Sequence, residues 1–345
     1  MTVVHVVLPG DIDDPATPSG GNAYDRRVCQ GLAALGWTVR EHPVPGGWPR
    51  PEAAERAALA GLLAALPDAA LVLLDGLVAS VVPEALAPHA RRLRLVVLVH
   101  LPLEDDVEAR ALAAAAGVLT TSEWTRRRLL DRYPLRADRV RVATPGVDLA
   151  PAASGSPAGT RLLCVAAVTP LKGHDVLADA LATLADLPWT CDCVGALTRD
   201  PAFVDRLRRQ LAAAGLTDRV RLPGPRAAAT LGAAYAAADL LVLPSRRETY
   251  GMVVTEALAR GVPVLGSETG GLPEALGHAP DGSRPGLLVP SDDPGALAGA
   301  LRSWLTRPDL RDRLRRAARQ RRETLTGWTV TATQVAAALK EATAA

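Results

Sequence analysis

Three ionisable residues in the second half of the chain have types and spacing that could do chemistry together. Glu248 and Glu256 stand eight residues apart in LLVLPSRRETYGMVVTEALARGVPVLG, which starts at Leu240. Glu248 lies in a polar turn after an apolar run. A helix is predicted from about Met252 to Arg260, stopped by Gly261. A helix N-terminus presents free N–H groups and the positive end of the dipole, so it holds anions. The backbone of Thr249, Tyr250, Gly251, Met252 and Val253 supplies such donors, and Gly251 lets a ligand approach closely. Glu256 lies within ~10 Å of that end at the helical rise, suited to a ribose joined to a bound phosphate. Glu248 would face a sugar on the other side. The stretch reads as a site for the diphosphate of a nucleotide sugar, with one carboxylate for each flanking polyol. Taken alone, the two glutamates read equally well as a cap and a solvated helix residue.

Other residues gain meaning beside this stretch. Lys172 follows an apolar run in VAAVTPLKGHD, and Lys340 is the only other lysine of the chain. In a strand-to-helix turn, a lysine can neutralise a leaving diphosphate. Gly20 and Gly21 sit in the first such loop, where two glycines permit close backbone approach to a phosphate or sugar. They form no GxGxxG, and a plain loop is an equal reading. His100 ends the apolar run of LVVLVHLPLEDD, where it could hydrogen-bond a sugar hydroxyl or simply be a half-buried structural histidine. His174 and the remaining histidines read as surface or capping residues. No Asp-x-Asp triplet stands at a strand end, since Asp11-Ile12-Asp13 falls in a loop without supporting neighbours, so no metal ligands are assigned. Arg126, Arg127, Arg128 and Arg132 surround Trp124 on one predicted helix. A solvated face is the favoured reading, with peripheral membrane contact as the second.

The elements that must position these residues alternate strand and helix. The chain has 345 residues, 48% hydrophobic and 22% charged. That is enough for two domains with sizeable cores and excludes disorder. Aromatics are only 3%, so the cores are Leu, Val and Ala. A net charge of +2 argues against nucleic acid as a partner. The bias to arginine and alanine points to a GC-rich genome. Cys29, Cys164, Cys191 and Cys193 show no CxxC spacing, and they read as reduced, buried thiols of a cytoplasmic protein. No signal peptide precedes the first strand, and the apolar region 58–87 is broken by Pro67, Asp68, Asp75 and Pro83, so no transmembrane segment is expected.

The near-continuous apolar strands predict parallel sheets covered on both faces. The α/β series reads as two Rossmann-like, doubly wound domains. Residues 1–150 form the first and 151–160, small and polar, a linker. Residues 161–326 form the second, and 327–345 a terminal helix. Ligands of such domains bind at the C-terminal ends of the strands, here in a central cleft that the two domains face.

The combination is more specific than its parts. RRETYGMVVTEALARGVPV, with Glu248 and Glu256, resembles the signature of the family 4 glycosyltransferases, retaining enzymes of GT-B fold. TPLKGHD resembles their Lys-Gly donor motif, Ser19-Gly20-Gly21-Asn22 their first N-terminal loop, and HLP at His100 their acceptor-domain histidine. Gly270-Gly271-Leu272-Pro273-Glu274 matches the turn after the next strand. The resemblance covers essentially the whole chain, and it implies a bacterial glycosyltransferase moving a sugar from a nucleoside diphosphate to an unidentified acceptor, with no cofactor and no metal. It further implies that Lys172 binds the diphosphate, Glu248 the hydroxyls of the transferred sugar and Glu256 the ribose. Backbone amides of Tyr250 to Val253 and of Gly21 would meet phosphates, and His100 the sugar near the reacting carbon. The terminal helix would cross back to the first domain. One position departs from the family: where many members carry an arginine five residues before the lysine, this chain has Ala167. A nucleotide-sugar-binding protein without turnover, or another GT-B enzyme such as a nucleotide-sugar epimerase, is the alternative.

Overall fold

The computed structural model describes residues 2–16 and 18–344. The chain divides into two compact units. One comprises residues 1–14, 20–146 and 327–345; the other comprises 15–19 and 147–326.

The first unit runs β1 (Val3–Pro9), α1 (Gly20–Ala34), β2 (Thr38–Val44), α2 (Ala53–Ala65), β3 (Leu71–Asp75), α3 (Gly76–Ala79) and α4 (Pro83–Leu86). It continues with β4 (Arg94–Val99), α5 (Asp106–Ala113), β5 (Gly117–Thr120), α6 (Glu123–Arg132) and β6 (Val140–Val142). Its six strands are all parallel, in the order β2-β1-β3-β4-β5-β6. β3 is buried at every residue and β4 at all but its first. That explains their unbroken apolar sequences, because a sheet covered on both faces leaves no polar side to alternate.

The second unit runs β7 (Arg161–Val165), α7 (His174–Ala182), β8 (Thr190–Val194), α8 (Pro201–Ala213), β9 (Val220–Gly224), α9 (Ala228–Ala237) and β10 (Leu240–Leu243). It closes with α10 (Met252–Leu258), β11 (Val264–Ser267), α11 (Leu272–Leu276), β12 (Gly286–Val289), α12 (Pro294–Thr306) and α13 (Pro308–Arg322). Its parallel sheet has the order β12-β11-β10-β7-β8-β9. Apolar clusters cover both faces, one around Trp304, Leu177 and Leu240 and the other around Tyr235, Leu241 and Leu258. Fully burying one such leucine contributes about 1.5–3 kcal/mol.

The last helix, α14 (Trp328–Ala344), belongs to the first unit. It packs on α1 so closely that Ala332 leaves no room for a Cβ at Gly31. Thr331 Oγ1 donates to Thr144 O at 2.8 Å, and Arg141 pairs with Glu341 at 2.7 Å.

Several boundaries differ from the sequence reading. Gly20 and Gly21 open α1 instead of lying in the loop before it. The structure accounts for a glycine at 21, because a Cβ there would meet the His100 ring at 3.3 Å. α10 ends at Leu258, before Arg260, because Gly261 in a left-handed conformation turns the chain into β11.

Two glycines fix the loops that matter below. Gly173 has φ +67° and Gly270 φ +57°. A Cβ on Gly173 would collide with the Pro244 carbonyl, and one on Gly270 with the Glu248 carbonyl. Gly215 has the same backbone conformation with nothing within 4 Å of a Cβ. Thermal denaturation should therefore rank the two. Gly215→Ala costs about 1–2 kcal/mol for its left-handed backbone alone. Gly270→Ala costs about 1–3 kcal/mol beyond that, the scale of overpacking. Equal losses would show that the Glu248 loop does not depend on the close approach.

Candidate functional site

In the second unit the strand order reverses at β7. From β7 the chain winds outward through β8 and β9, then returns to β10 on the other side of β7. The loops leaving β7 and β10 therefore part at their C-terminal ends, the place where open α/β sheets hold ligands. The β7 loop ends in a 3-10 turn, Pro170–Lys172, followed by Gly173. The β10 loop is Pro244 to Gly251, and Gly251 caps α10 with φ 94°.

Lys172 and Glu248 meet across this divide. Lys172 Nζ donates to Glu248 Oε2 at 2.7 Å, and Ser245 Oγ donates to the same oxygen at 3.2 Å. The Lys172 side chain is 30% exposed and that of Glu248 10%. Glu248 is buried, so an incoming anion and polyol can separate the pair only by giving both groups new partners. The lysine would turn to the anion and the carboxylate to hydroxyls.

Arg246 ties the two loops together. It forks onto Asp175 at 2.9 and 2.8 Å, reaches Asp292 at 2.8 Å and donates to Pro170 O at 2.6 Å. Burial works against the Asp175 charge, but the Arg246 guanidinium outweighs it and holds the carboxyl below its ordinary value. The sequence reading missed Ser245, Arg246 and Asp175. Asp175 sits in the KGHD motif, yet no spacing rule pairs it with an arginine 71 residues on.

Of the other expected donor-site residues, Gly251 and the backbone of Thr249 to Val253 stand at the start of α10. The Tyr250 ring is 7% exposed and packs in the core, so only its backbone is offered. Glu256 accepts from Tyr235 Oη on α9 at 2.8 Å, and the Arg260 guanidinium lies 4.8 Å from the centre of the Tyr235 ring. Burial raises the Glu256 carboxyl, with the Tyr235 hydroxyl and Arg260 pulling it back. Glu256 is thus a held group and no solvated helix residue. At the departure from the family, Ala167 is half-buried and offers no cation. The Arg246 guanidinium, in the facing loop, is committed to Asp175, Asp292 and Pro170 O.

The first unit also reverses at its first strand, with β2 on one side of β1 and β3 on the other. His100 follows β4 and turns its Nε2 to Asp25 Oδ1 at 2.8 Å, with Asp75 Oδ2 at 3.6 Å. Gly21 lies under the ring, and Tyr24 stacks edge-on at 5.2 Å. Asp25 on α1 and Asp75 at the end of β3 are each 2% exposed. Sequence reasoning found His100 but neither aspartate, because nothing local distinguishes a strand-end aspartate that caps the next turn. Asp75 does cap it, accepting from Leu77 N at 2.6 Å.

Two histidines differ from the surface or capping role expected. His174 is 2% exposed, because the first turn of α7 packs onto the sheet, and its Nε2 lies 3.6 Å from Cys164 Sγ. His5 is 5% exposed on β1 and bonds His42 at 2.9 Å. All four cysteines are buried and free. Among the described residues, two triads place metal-type donors within 4.8 Å of one another: Cys164, His174 and Cys193, and Asp25, Asp75 and His100. The first fits a metal poorly, since a ligating histidine hands its other N–H to an acceptor and His174 Nδ1 is buried without one. In the second, His100 and Asp25 bond each other directly. No helix of the described residues is long and apolar enough to cross a membrane.

Comparison with known proteins follows this geometry. Residues 4–151 match the family model "Glycosyltransferase Family 4", and residues 152–321 match "Glycosyl transferases group 1". Curated relatives include proteins named D-inositol 3-phosphate glycosyltransferase. The one from Jonesia denitrificans is 33% identical over 67% of this chain and 58% of its own length. That from Kineococcus radiotolerans is 35% identical over 65% and 57%. The chain thus spans a little over half the length of the curated relatives it matches. Among solved structures, sucrose-phosphate synthase from Thermosynechococcus elongatus superposes with a TM-score of 0.78 at 22% identity over 99% of both chains. HepE from Anabaena, in complex with UDP-glucose, gives 0.76 at 18% over 99% and 100%. These likenesses show a two-domain, Rossmann-like GT-B fold. The two matched models, which together run from residue 4 to residue 321, make the chain a member of the family 4 glycosyltransferases.

Proposed function

We propose that this chain transfers a sugar from a nucleoside-diphosphate sugar to an acceptor hydroxyl, with retention at the anomeric carbon and without a metal ion. The observation that carries the reading is the Lys172–Glu248 pair, placed where the β7 and β10 loops part. The reading is supported by relatives named as glycosyltransferases and by the UDP-glucose complex of the similarly folded HepE. It places the reaction in the cytoplasm, where the four free, buried thiols would stay reduced.

The bond that breaks joins the anomeric carbon to a diphosphate oxygen, and the diphosphate leaves with added negative charge. Lys172 neutralises that charge, helped by backbone N–H groups at the start of α10. Glu248, released from Lys172, holds hydroxyls of the sugar, and Glu256, oriented by Tyr235, holds the ribose. The acceptor oxygen bonds the same carbon on the face the diphosphate leaves, and its proton passes to the departing diphosphate oxygen. With Ala167 in place of an arginine, Lys172 is the principal side-chain cation on the diphosphate, so its removal should be felt in full.

A panel of UDP-, GDP- and ADP-sugars with purified protein tests this. Turnover of one donor is expected, undiminished by EDTA, with a product whose anomeric configuration by NMR is that of the donor. Binding without turnover would favour a nucleotide-sugar-binding protein, and conversion of the donor sugar without transfer would favour an epimerase. Lys172→Ala should lower kcat about 100- to 1000-fold, the cost of losing one preorganised stabiliser of a developing anion. Glu256→Ala should act mainly on the donor KM, because the ribose is bound alike in ground and transition states. A Lys172→Ala enzyme with unchanged kcat would remove the proposed role.

A further inference from the structure

The buried pair beside His100 has no part in the donor chemistry above. Asp25 Oδ1 bonds His100 Nε2 at 2.8 Å, while Asp25 Oδ2 is buried without a hydrogen-bond partner. Asp75 Oδ1 accepts from the Leu77 amide, and its Oδ2 lies 3.6 Å from His100 Nε2. Two carboxylates and one imidazole thus crowd a buried site at the switch point of the first sheet. The remaining face of the ring is closed by Gly21 and by the edge of Tyr24, whose hydroxyl is turned away to Ala143 O at 2.7 Å. Arg27 lies over Trp328, which meets Tyr24 edge-on, so the cation here is one aromatic ring removed from Tyr24 and two from His100.

Two like charges so close and so buried do not both persist. A proton on one carboxyl would reach the other and satisfy the orphaned Asp25 oxygen. We propose that Asp25 and Asp75, sharing one proton, are positioning residues that lock His100 with Nε2 as a donor, so that the ring offers its Nδ1 edge as a fixed N–H to an oxygen of the substrate. The side chain keeps 13% exposure, consistent with one edge reaching outward.

Electrostatics agree with this geometry. Burial, then the charge of Asp25, pushes the Asp75 carboxyl up to about 8. Burial works against the His100 imidazolium, but Asp25 and then Asp75 outweigh it, and its pKa rises to about 8. Both shifts are upward, so the doubly protonated cluster persists through neutral pH and loses a proton as pH climbs through about 8. The two steps belong to the cluster, and no single site owns either.

The proposal rests on the transferase reading only for its kinetic limb. Its first test needs no turnover: long-range proton–nitrogen NMR of 15N-histidine protein, with His100 assigned by its absence in His100→Gln. Nε2 of His100 should be protonated from pH 5 to beyond 8, with Nδ1 losing its proton near 8. An Nε2 unprotonated at pH 7 overturns the proposal, whatever the enzyme does. The kinetic limb compares two variants. Asp75→Asn, which keeps a neutral group beside Asp25 but has no proton to share, should lower kcat at pH 7 about threefold to fivefold, whereas Asp25→Asn should lower kcat at least about tenfold with donor KM little changed, as for a lost oriented proton donor. It should also shift the His100 titration down. Equal behaviour of the two variants, or an Asp25→Asn protein with unaltered His100 titration, overturns it. Absence of transfer by the wild type, with the expected NMR result, sinks the transferase reading alone.

Discussion

A parallel sheet can hold a ligand where neighbouring loops diverge, and the second unit makes that place once, between β7 and β10. Everything assigned to the donor depends on it. The two loops there are fastened by Arg246 on Asp175, pressed together at Gly173 against Pro244, and joined at their tips by Lys172 on Glu248, with Gly270 of the loop after β11 packed against the Glu248 backbone. The fastening is a fork of two bonds and the tip a single one between the side chains of Lys172 and Glu248. A forked guanidinium–carboxylate contact adds geometric specificity as well as energy, while the lysine–glutamate contact is a single hydrogen bond with no fork to hold it. That contrast lets the loops stay in place while their reactive groups change partners.

The first unit repeats the plan with different chemistry. Its reversal at β1 brings a helix N-terminus, a strand-end carboxylate and a strand-end histidine into one spot. There two carboxylates are buried side by side, so a shared proton relieves the crowding of like charge.

Much of this was legible in the sequence. Unbroken apolar runs such as LVLLD and RLVVLV can only be central parallel strands, and the turns that follow them carried Lys172, Glu248 and His100. Those positions are local facts, readable because a strand end and the next helix start are both written in adjacent residues. What stayed hidden was tertiary. The Arg246–Asp175 fork joins residues 71 apart, and Asp25 and Asp75 meet His100 from two other elements. His174 looked like a capping residue because its neighbours are polar, yet the packing of α7 buries it. Gly20 and Gly21 looked like loop because glycine weakens a helix, while the His100 ring beneath favours a residue without a side chain at 21.

The central claim is that the diphosphate of the donor lies against Lys172, with Glu248 freed to meet the sugar. A crystal structure of the protein with a nucleoside diphosphate bound tests it most directly. The account predicts a phosphate oxygen about 3 Å from Lys172 Nζ, within ordinary charge-assisted hydrogen-bond range, and a Lys172–Glu248 contact that has opened. A diphosphate seated elsewhere, with that contact still closed, would contradict it.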